Sequence, residues 1–346
     1  MLLLWLACAD PPLPAQAGEL TFVQLDLDGP SIGESALIVS PEGSVTLLDV
    51  GNDRHDGAVR EALLRYTGDT AVDFILLTHN HADHIGAMSD LVDDLTLRGA
   101  MIDRGPYDLA EGAANLEEWS EVCELELPRV ALCEGDVPAP CQGGEGPWPA
   151  SACPGQGELM TEADAGPSWL DLGGARLEIL AVDGFVGDQR LPLGYGESAD
   201  ENARSVVAVL RYGDFTMMLP GDLTGGGKGT PDMESLVIAA ADPGPVDLLQ
   251  LGHHGISSST SEGWVEALLP EGARHDALVG ANRGYLDAPS EEALARVLPR
   301  LGGGAVWVTE PGRLAQGEAF CDAEGDVVLR VASTGDWSLS VPGDCP

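Results

Sequence analysis

Lysine is almost missing from this chain of 346 residues: Lys228 stands alone, and Lys and Arg together number 17 against 57 Asp and Glu. The resulting formal charge of −40 excludes a broad basic surface for gripping nucleic acid or anionic lipid. Aromatic residues are scarce at 5 %, yet apolar residues reach 44 %, so material for a core is not in short supply. Apolar runs of strand length, such as Phe74 to Leu77 and Val206 to Leu210, separate the chain from a disordered acidic segment. No run approaches the roughly 20 apolar residues of a spanning helix. C-x-x-C pairs are also absent, and no histidine lies between His84 and His253, which leaves a cysteine-rich middle stretch without partners for a zinc knuckle.

The chain opens with MLLLWLA, almost wholly apolar, followed by Cys8 and the loop-like ADPPLPAQAG. Ala7 before Cys8 resembles the end of a bacterial lipoprotein signal, with Cys8 as the lipid anchor. Ala15-Gln16-Ala17 offers the A-x-A form of ordinary cleavage instead. Residues 1–18 are therefore expected to be an export or lipoprotein signal with its linker, and the protein to be periplasmic, extracellular or lipid-anchored at the cell envelope. With Cys8 set aside, Cys123, Cys133, Cys141, Cys153, Cys321 and Cys345 can close three disulfides, which suits an exported compartment.

Short apolar runs at Leu20 to Leu27, Ala36 to Val39 and Val45 to Leu48 predict a meander of strands. Val59, Leu63 and Leu64 have helical spacing within Asp56 to Tyr66, and Phe74 to Leu77 reads as a buried strand. Residues from about 100 to 168, rich in Gly and Pro and bearing four cysteines, read as an insertion. Strand patterns resume at Leu177, Ser205, Phe215, Val246, Ala277, Ala305, Asp326 and Trp337, with helical patterns at Trp264 to Leu269 and Glu291 to Leu298. Residues 19–346 are thus expected to form one α/β domain of mixed sheets covered by helices.

Five of the seven histidines fall in two clusters, each directly after an apolar strand. The first reads Thr78-His79-Asn80-His81-Ala82-Asp83-His84. Alternate residues of an extended loop point the same way, so His79 and His81 can converge on one ion while Asp83 and His84 reach a neighbouring one. Burying so many polar groups without such partners would be costly. This segment resembles the H-x-H-x-D-H signature of the metallo-β-lactamase superfamily, which implies an αββα sandwich and bound Zn2+, one or two ions, with Mn2+ as the alternative. Leu47-Leu48-Asp49-Val50-Gly51 resembles that superfamily's strand-Asp-Gly element, whose aspartate supports the metal loop through the far nitrogen of a histidine. The resemblance implies that Asp222, in Leu219-Pro220-Gly221-Asp222, bridges two metals.

Gly252-His253-His254-Gly255-Ile256-Ser257 resembles the Gly-His-His-Gly-Ser element of ComEC-type DNA-uptake proteins, and Asn202-Ala203-Arg204-Ser205 resembles a segment of the same subgroup. His253 is carried over as a ligand of the second metal, with His254 as a further ligand or proton carrier. The chain departs from the pattern in three places. No histidine between the clusters completes the first metal site, although Asn202 is expected nearby. Asn282-Arg283-Gly284-Tyr285 lacks the subgroup's histidine, and Ile32-Gly33-Glu34-Ser35-Ala36 stands where the subgroup has a Gly-Gln-Gly-Asp-Ala-like turn. His55 reads as a solvated loop residue and His275 as a surface one.

The chemistry implied is hydrolysis by metal-activated water, with Asp83 holding the water and His254 or Tyr285 as candidate leaving-group donors. The resemblance favours a phosphodiester, a nucleotide or nucleic acid, with Arg204, Arg283 and Lys228 expected to form a local basic patch. Ester or lactam hydrolysis, and a metal-binding surface protein without turnover, are the alternatives. The net charge favours a small diester over a long polyanion.

Overall fold

The computed structural model describes residues 15–27, 32–105, 118, 121–122, 125, 127–132, 169–187, 189–193, 201–280, 288–310, 319–342 and 345. One eight-stranded sheet runs in the order β18 (Trp337–Ser340), β17 (Val327–Val331), β1 (Leu20–Gln24), β2 (Ala36–Val39), β3 (Val45–Leu48), β4 (Ala71–Leu77), β5 (Thr96–Asp103) and β6 (Arg129–Ala131). The other runs β16 (Phe320–Asp322), β15 (Val306–Val308), β14 (Asp276–Val279), β13 (Leu248–Gln250), β12 (Phe215–Leu219), β11 (Val207–Tyr212), β8 (Arg176–Ala181) and β7 (Trp169–Asp171). A small hairpin joins β9 (Phe185–Val186) to β10 (Gln189–Arg190).

Both sheets are mixed. Strands β3 to β6 pair in parallel, as do β12 to β16, and the remaining pairs are antiparallel. Both faces of each sheet are covered, so central strands read as continuous apolar runs and not as alternating ones. Phe22, Ile38, Leu48 and Leu76 face Leu210, Met217, Leu219 and Leu248 between the sheets. Their neighbours Val23, Leu37, Leu47 and Ile75 point outward, where α1 (Asp56–Thr67), α2 (Ala82–Ile85) and α3 (Met88–Leu91) cover the first sheet. Val209, Met218 and Leu249 meet α4 (Met233–Ala241), α5 (Glu262–Leu268) and α6 (Glu291–Val297) on the second. This is the expected αββα sandwich.

Helix α1 buries Val59, Ala62, Leu63 and Tyr66, one face of a 3.6-residue period, while Leu64 remains half exposed. Gly68 ends it in the left-handed conformation, donating to Leu64 O at 3.1 Å. Ser261 and Ser290 cap α5 and α6 by accepting from Trp264 N and Ala293 N.

One expected boundary shifts. Residues 100–103 and 129–131, expected within the insertion, are sheet strands, because β5 pairs in parallel with both β4 and β6. Cys321 and Cys345 form a disulfide with Cα atoms 5.1 Å apart. Cys8, Cys123, Cys133, Cys141 and Cys153 lie outside the described residues, as do the signal segment through Pro14 and residues 133–168 of the expected insertion. Among the described residues, no helix is long and apolar enough to cross a membrane.

Candidate metal centre

Asp49 follows β3, the Thr78 to His84 segment follows β4, Asp222 follows β12 and the His253-His254 pair follows β13. These strands pair in parallel within each sheet, so their carboxyl ends open on one side, where such folds place their sites. Val206 N donates to Thr78 O at 2.9 Å and ties the two sheets together there, while Asp222 N donates to Ser205 Oγ at 3.1 Å within the second sheet's loops. Gly221 makes the turn into Asp222 with a φ of 54°, and a Cβ there would lie 3.1 Å from that of Ser205.

Asp222 is the hub. Its Oδ1 lies 3.3 Å from His84 Nε2, and its Oδ2 lies 3.7 Å from His79 Nε2, 3.6 Å from His253 Nε2 and 3.8 Å from His254 Nε2. Two compact groups share this carboxylate: His79, His81 and Asp222, and Glu34, His84, Asp222 and His254, with ligand atoms in each group within 4.8 Å of one another. Every member is buried.

The imidazoles are oriented from behind. Asp49 Oδ2 accepts from His84 Nδ1 at 2.8 Å, which leaves Nε2, aimed at Asp222, as the nitrogen that would turn its lone pair to an ion. Asp49 also accepts from Thr78 N at 2.7 Å and Thr78 Oγ1 at 2.6 Å. With its proton given to Asp49, the Thr78 hydroxyl accepts from His79 Nδ1 at 3.1 Å and turns His79 Nε2 inward. That nitrogen stands 3.0 Å from His81 Nδ1, a spacing that suits two ligands on one ion.

His253 and His254 both adopt left-handed backbone, φ 52° and 53°, which is costly for histidine and persists only where the surroundings hold it. His253 N donates to Gly221 O, and Ser259 Oγ to Gly252 O, which anchors the turn. The left-handed pair splays its rings, with centroids 6.1 Å apart. His254, expected as a further ligand or proton carrier, therefore enters the deep group beside His84, and His253, expected as the likelier ligand, belongs to neither compact group. His253 stays on the rim, 3.2 Å from Asn202 Nδ2 and 3.2 Å from Ser258 Oγ. Asp83 turns toward His254 Nε2 at 3.4 Å and belongs to neither compact group.

Burial would raise the Asp222 carboxyl, but His84, His253, His254 and His79 outweigh it and hold it well below the usual range. Burial would likewise raise Asp83, which the His254 hydrogen bond and the His84 charge bring below its ordinary value. Burial lowers His79 well below the usual imidazole range and His253 to about 4. For His84 and His254 burial acts in the same direction but loses to neighbouring carboxylates, Asp222 first. His84 rises well above its ordinary value and His254 to about 9. In the metal-free protein, protons on these two rings partly offset the carboxylates.

The donor set fits divalent ions of the zinc and manganese type: imidazole nitrogens and carboxylate oxygens, without thiolate. His84 Nε2 and Asp222 Oδ1 make no hydrogen bond among the described residues although both are buried. A bound cation resolves that cost.

Several residues sit differently from the expectation. His55 is 2 % exposed, with its Nδ1 accepting from Asn52 N. Gly51 crosses over its ring with a φ of 73°, and a Cβ there would meet Nδ1 at 2.5 Å. His275 is also buried, facing Val246 O at 2.7 Å and Pro270 O at 3.1 Å. Arg204 is not part of a basic patch at the mouth, because it is buried in an ion pair with Asp183. Lys228 is exposed and stands 3.8 Å from Glu292. Tyr285 and Arg283 lie outside the described residues.

Glu34 and Glu201 were not singled out as site residues by the sequence. Glu34 is buried and raised to about 7 by that burial, despite His254 beside it. Glu201 accepts from Asn80 N at 2.8 Å and from Arg104 Nε and Nη2 at 2.8 and 2.7 Å, which braces the loop between His79 and His81. The glutamate inside the Gly-Gln-Gly-Asp-Ala-like turn was the one available signal for the former.

Residues 28–270 match the metallo-β-lactamase superfamily. The chain belongs to that superfamily. Its members are metal-dependent hydrolases, and the His/Asp cluster described above suits a divalent metal. No curated protein matches the chain. Similar solved structures include a diphosphatase of the PhnP family, at 13 % identity over 91 % of this chain and 98 % of that one, TM-score 0.40. A metallo-β-lactamase from Cronobacter sakazakii with a HARLDQ motif is 16 % identical over 68 % of this chain and 77 % of that one, TM-score 0.37. MEM-A1, a subclass B3 metallo-β-lactamase from a soil metagenome library, is 15 % identical over 70 % and 80 %, TM-score 0.35.

Proposed function

We propose that this hydrolase cleaves a small phosphodiester, such as a nucleotide, with water as the nucleophile. The observation that carries the reading is the sharing of Asp222 between both donor groups. A carboxylate common to both groups would hold two ions close together, the arrangement suited to in-line displacement at phosphorus. Bound ions would supply Lewis acidity and a hydroxide nucleophile near neutral pH. In this reading His79, His81 and Asp222 hold one ion and His84, Asp222 and His254 the other, while His253 and Asp83 line the mouth.

The burial of Arg204 sharpens the substrate. With that cation committed to Asp183, phosphate charge would be met by the ions themselves, which suits one diester group better than a long polyanion. The ComEC-like segments carry the nucleotide preference and nothing about transport. Export through residues 1–18, with Cys8 lipidated or cleavage after Ala17, belongs to the same proposal. The Cys321 to Cys345 disulfide supports an oxidising compartment.

The test uses purified protein with and without chelator on bis-p-nitrophenyl phosphate, single-stranded DNA and nitrocefin. Chelator-sensitive turnover of the diester, restored by Zn2+ or Mn2+, is expected. Turnover of nitrocefin alone favours a lactam hydrolase, and metal binding without any turnover favours a non-catalytic protein.

A further inference from the structure

Two buried histidines in the deep group are built alike. His84 presents Nδ1 to Asp49 at 2.8 Å and Nε2 to Asp222 Oδ1 at 3.3 Å. His254 presents Nδ1 to Glu34 Oε2 at 3.3 Å and Nε2 to Asp222 Oδ2 at 3.8 Å. Gly280 O also lies 3.3 Å from His254 Nδ1; a carbonyl can only accept, so that nitrogen carries the proton and Nε2 faces the centre.

Glu34 is itself held from the opposite side. Gln250 Nε2 donates both to Glu34 Oε1 and, at 2.9 Å, to Gln24 Oε1, whose own amide donates to Ser35 O at 3.2 Å. Gln24 and Glu34 belong to the first sheet and its loops, Gln250 and His254 to the second, so the chain of amides crosses the floor of the sandwich. The backbone of the same turn clamps the other metal loops. Glu34 N donates to Asp83 O at 3.0 Å, Gly51 N to Glu34 O at 3.0 Å, and Ser35 Oγ to Asp49 O at 2.8 Å.

We propose that Glu34 is a positioning residue that fixes the tautomer and direction of His254 toward an ion shared with Asp222, as Asp49 does for His84. A carboxylate behind a ligating imidazole raises its basicity and removes the freedom of the ring to flip, and losing one typically costs roughly 10- to 100-fold in metal affinity. Gln250 and Gln24 keep the carboxylate aimed at the ring and not into the centre.

The inference rests on ions binding at this centre and not on the substrate, so its test contains no substrate. A failed diester assay leaves it standing. Metal-free protein is titrated with Zn2+ and Mn2+ against a chromophoric chelator for the wild type, Glu34→Gln and Gln250→Leu, with melting temperature measured in chelator as the folding control. Glu34→Gln is expected to weaken one of two ions by about 10- to 100-fold, to leave the other within about twofold, and to regain both at saturating metal. Gln250→Leu is expected to show a smaller loss at the same ion. Unchanged affinities in folded Glu34→Gln overturn the proposal, and so does a site that stays empty at saturating metal, which would make Glu34 a direct ligand. Nitrogen NMR of histidine rings in the wild-type metal-loaded protein is independent of the variants. His254 bound through Nε2 with a proton on Nδ1 is expected, and binding through Nδ1 sinks the idea.

Discussion

Asp222 is the residue on which both donor groups depend. Asp222→Asn keeps the shape and removes the shared charge, so metal stoichiometry is expected to fall and diester turnover to drop by more than about 100-fold, since outer partners alone are worth 10- to 100-fold. The His79→Ala, His81→Ala double variant is expected to lose bound metal by elemental analysis, and full retention would overturn the assignment of the first ion. Protonation gives a third outcome. His254 is raised to about 9, so below that pH an entering ion must displace a proton. Because His84 also holds a proton that the ion must displace, apparent metal affinity is expected to weaken by more than about tenfold per unit as pH falls from 9 toward 7, measured by calorimetry in buffers of differing ionisation heat. The metal-free protein runs the other way. A folded pKa above the unfolded value contributes stability that is fully present below the ordinary imidazole range and lost as pH rises through about 9.

At the scale of elements, most of the helices and strands were legible from apolar period, and the structure adds the caps Ser261 and Ser290 to two of the helices. Helix α4 was missed because its apolar residues cover the face toward β9 and the second sheet without a clear period, and β5 and β6 were hidden in a segment dominated by Gly, Pro and Cys. The ionic cluster behind the His79 to His81 loop could not be read at all, since Arg104, Asp183 and the turn that carries both Glu201 and Arg204 come from three separate segments. Burial alone would depress the Arg104 guanidinium, but Glu201 and Asp183 raise it above its usual value, so it stays charged. Arg104→Met strands Glu201 in the interior and is expected to cost about 3–5 kcal/mol. In a domain of this size that is a loss of roughly 10 °C in Tm by calorimetry, with metal affinity at His79 and His81 weakened in parallel.

For the whole molecule, the net charge of −40 acts on substrate choice through its reach, which salt limits to about 8–10 Å. Raising ionic strength is therefore expected to improve kcat/KM for a long single strand, whose many phosphates meet the acidic surface. The same change is expected to leave bis-p-nitrophenyl phosphate within about twofold. An equal response of the two substrates would show that the field does not set substrate size. The sandwich itself follows from two sheets that are apolar on both faces, a property of the strand sequences that needs a partner layer on each side.

The sequence by itself determined the superfamily, the two histidine clusters, and the aspartates after β3 and β12, because ligands on one loop are neighbours in the chain and their spacing is their geometry. Tertiary structure decided which of His253 and His254 enters the deep group, that Arg204 is spent on Asp183, and that Glu34, held from behind by Gln250, faces His254. The Glu34 contact depends on segments more than two hundred residues apart meeting across two sheets, the Arg204 pair on a loop that folds back over 21 residues, and the histidine choice on a backbone turn whose hand the residue types do not announce.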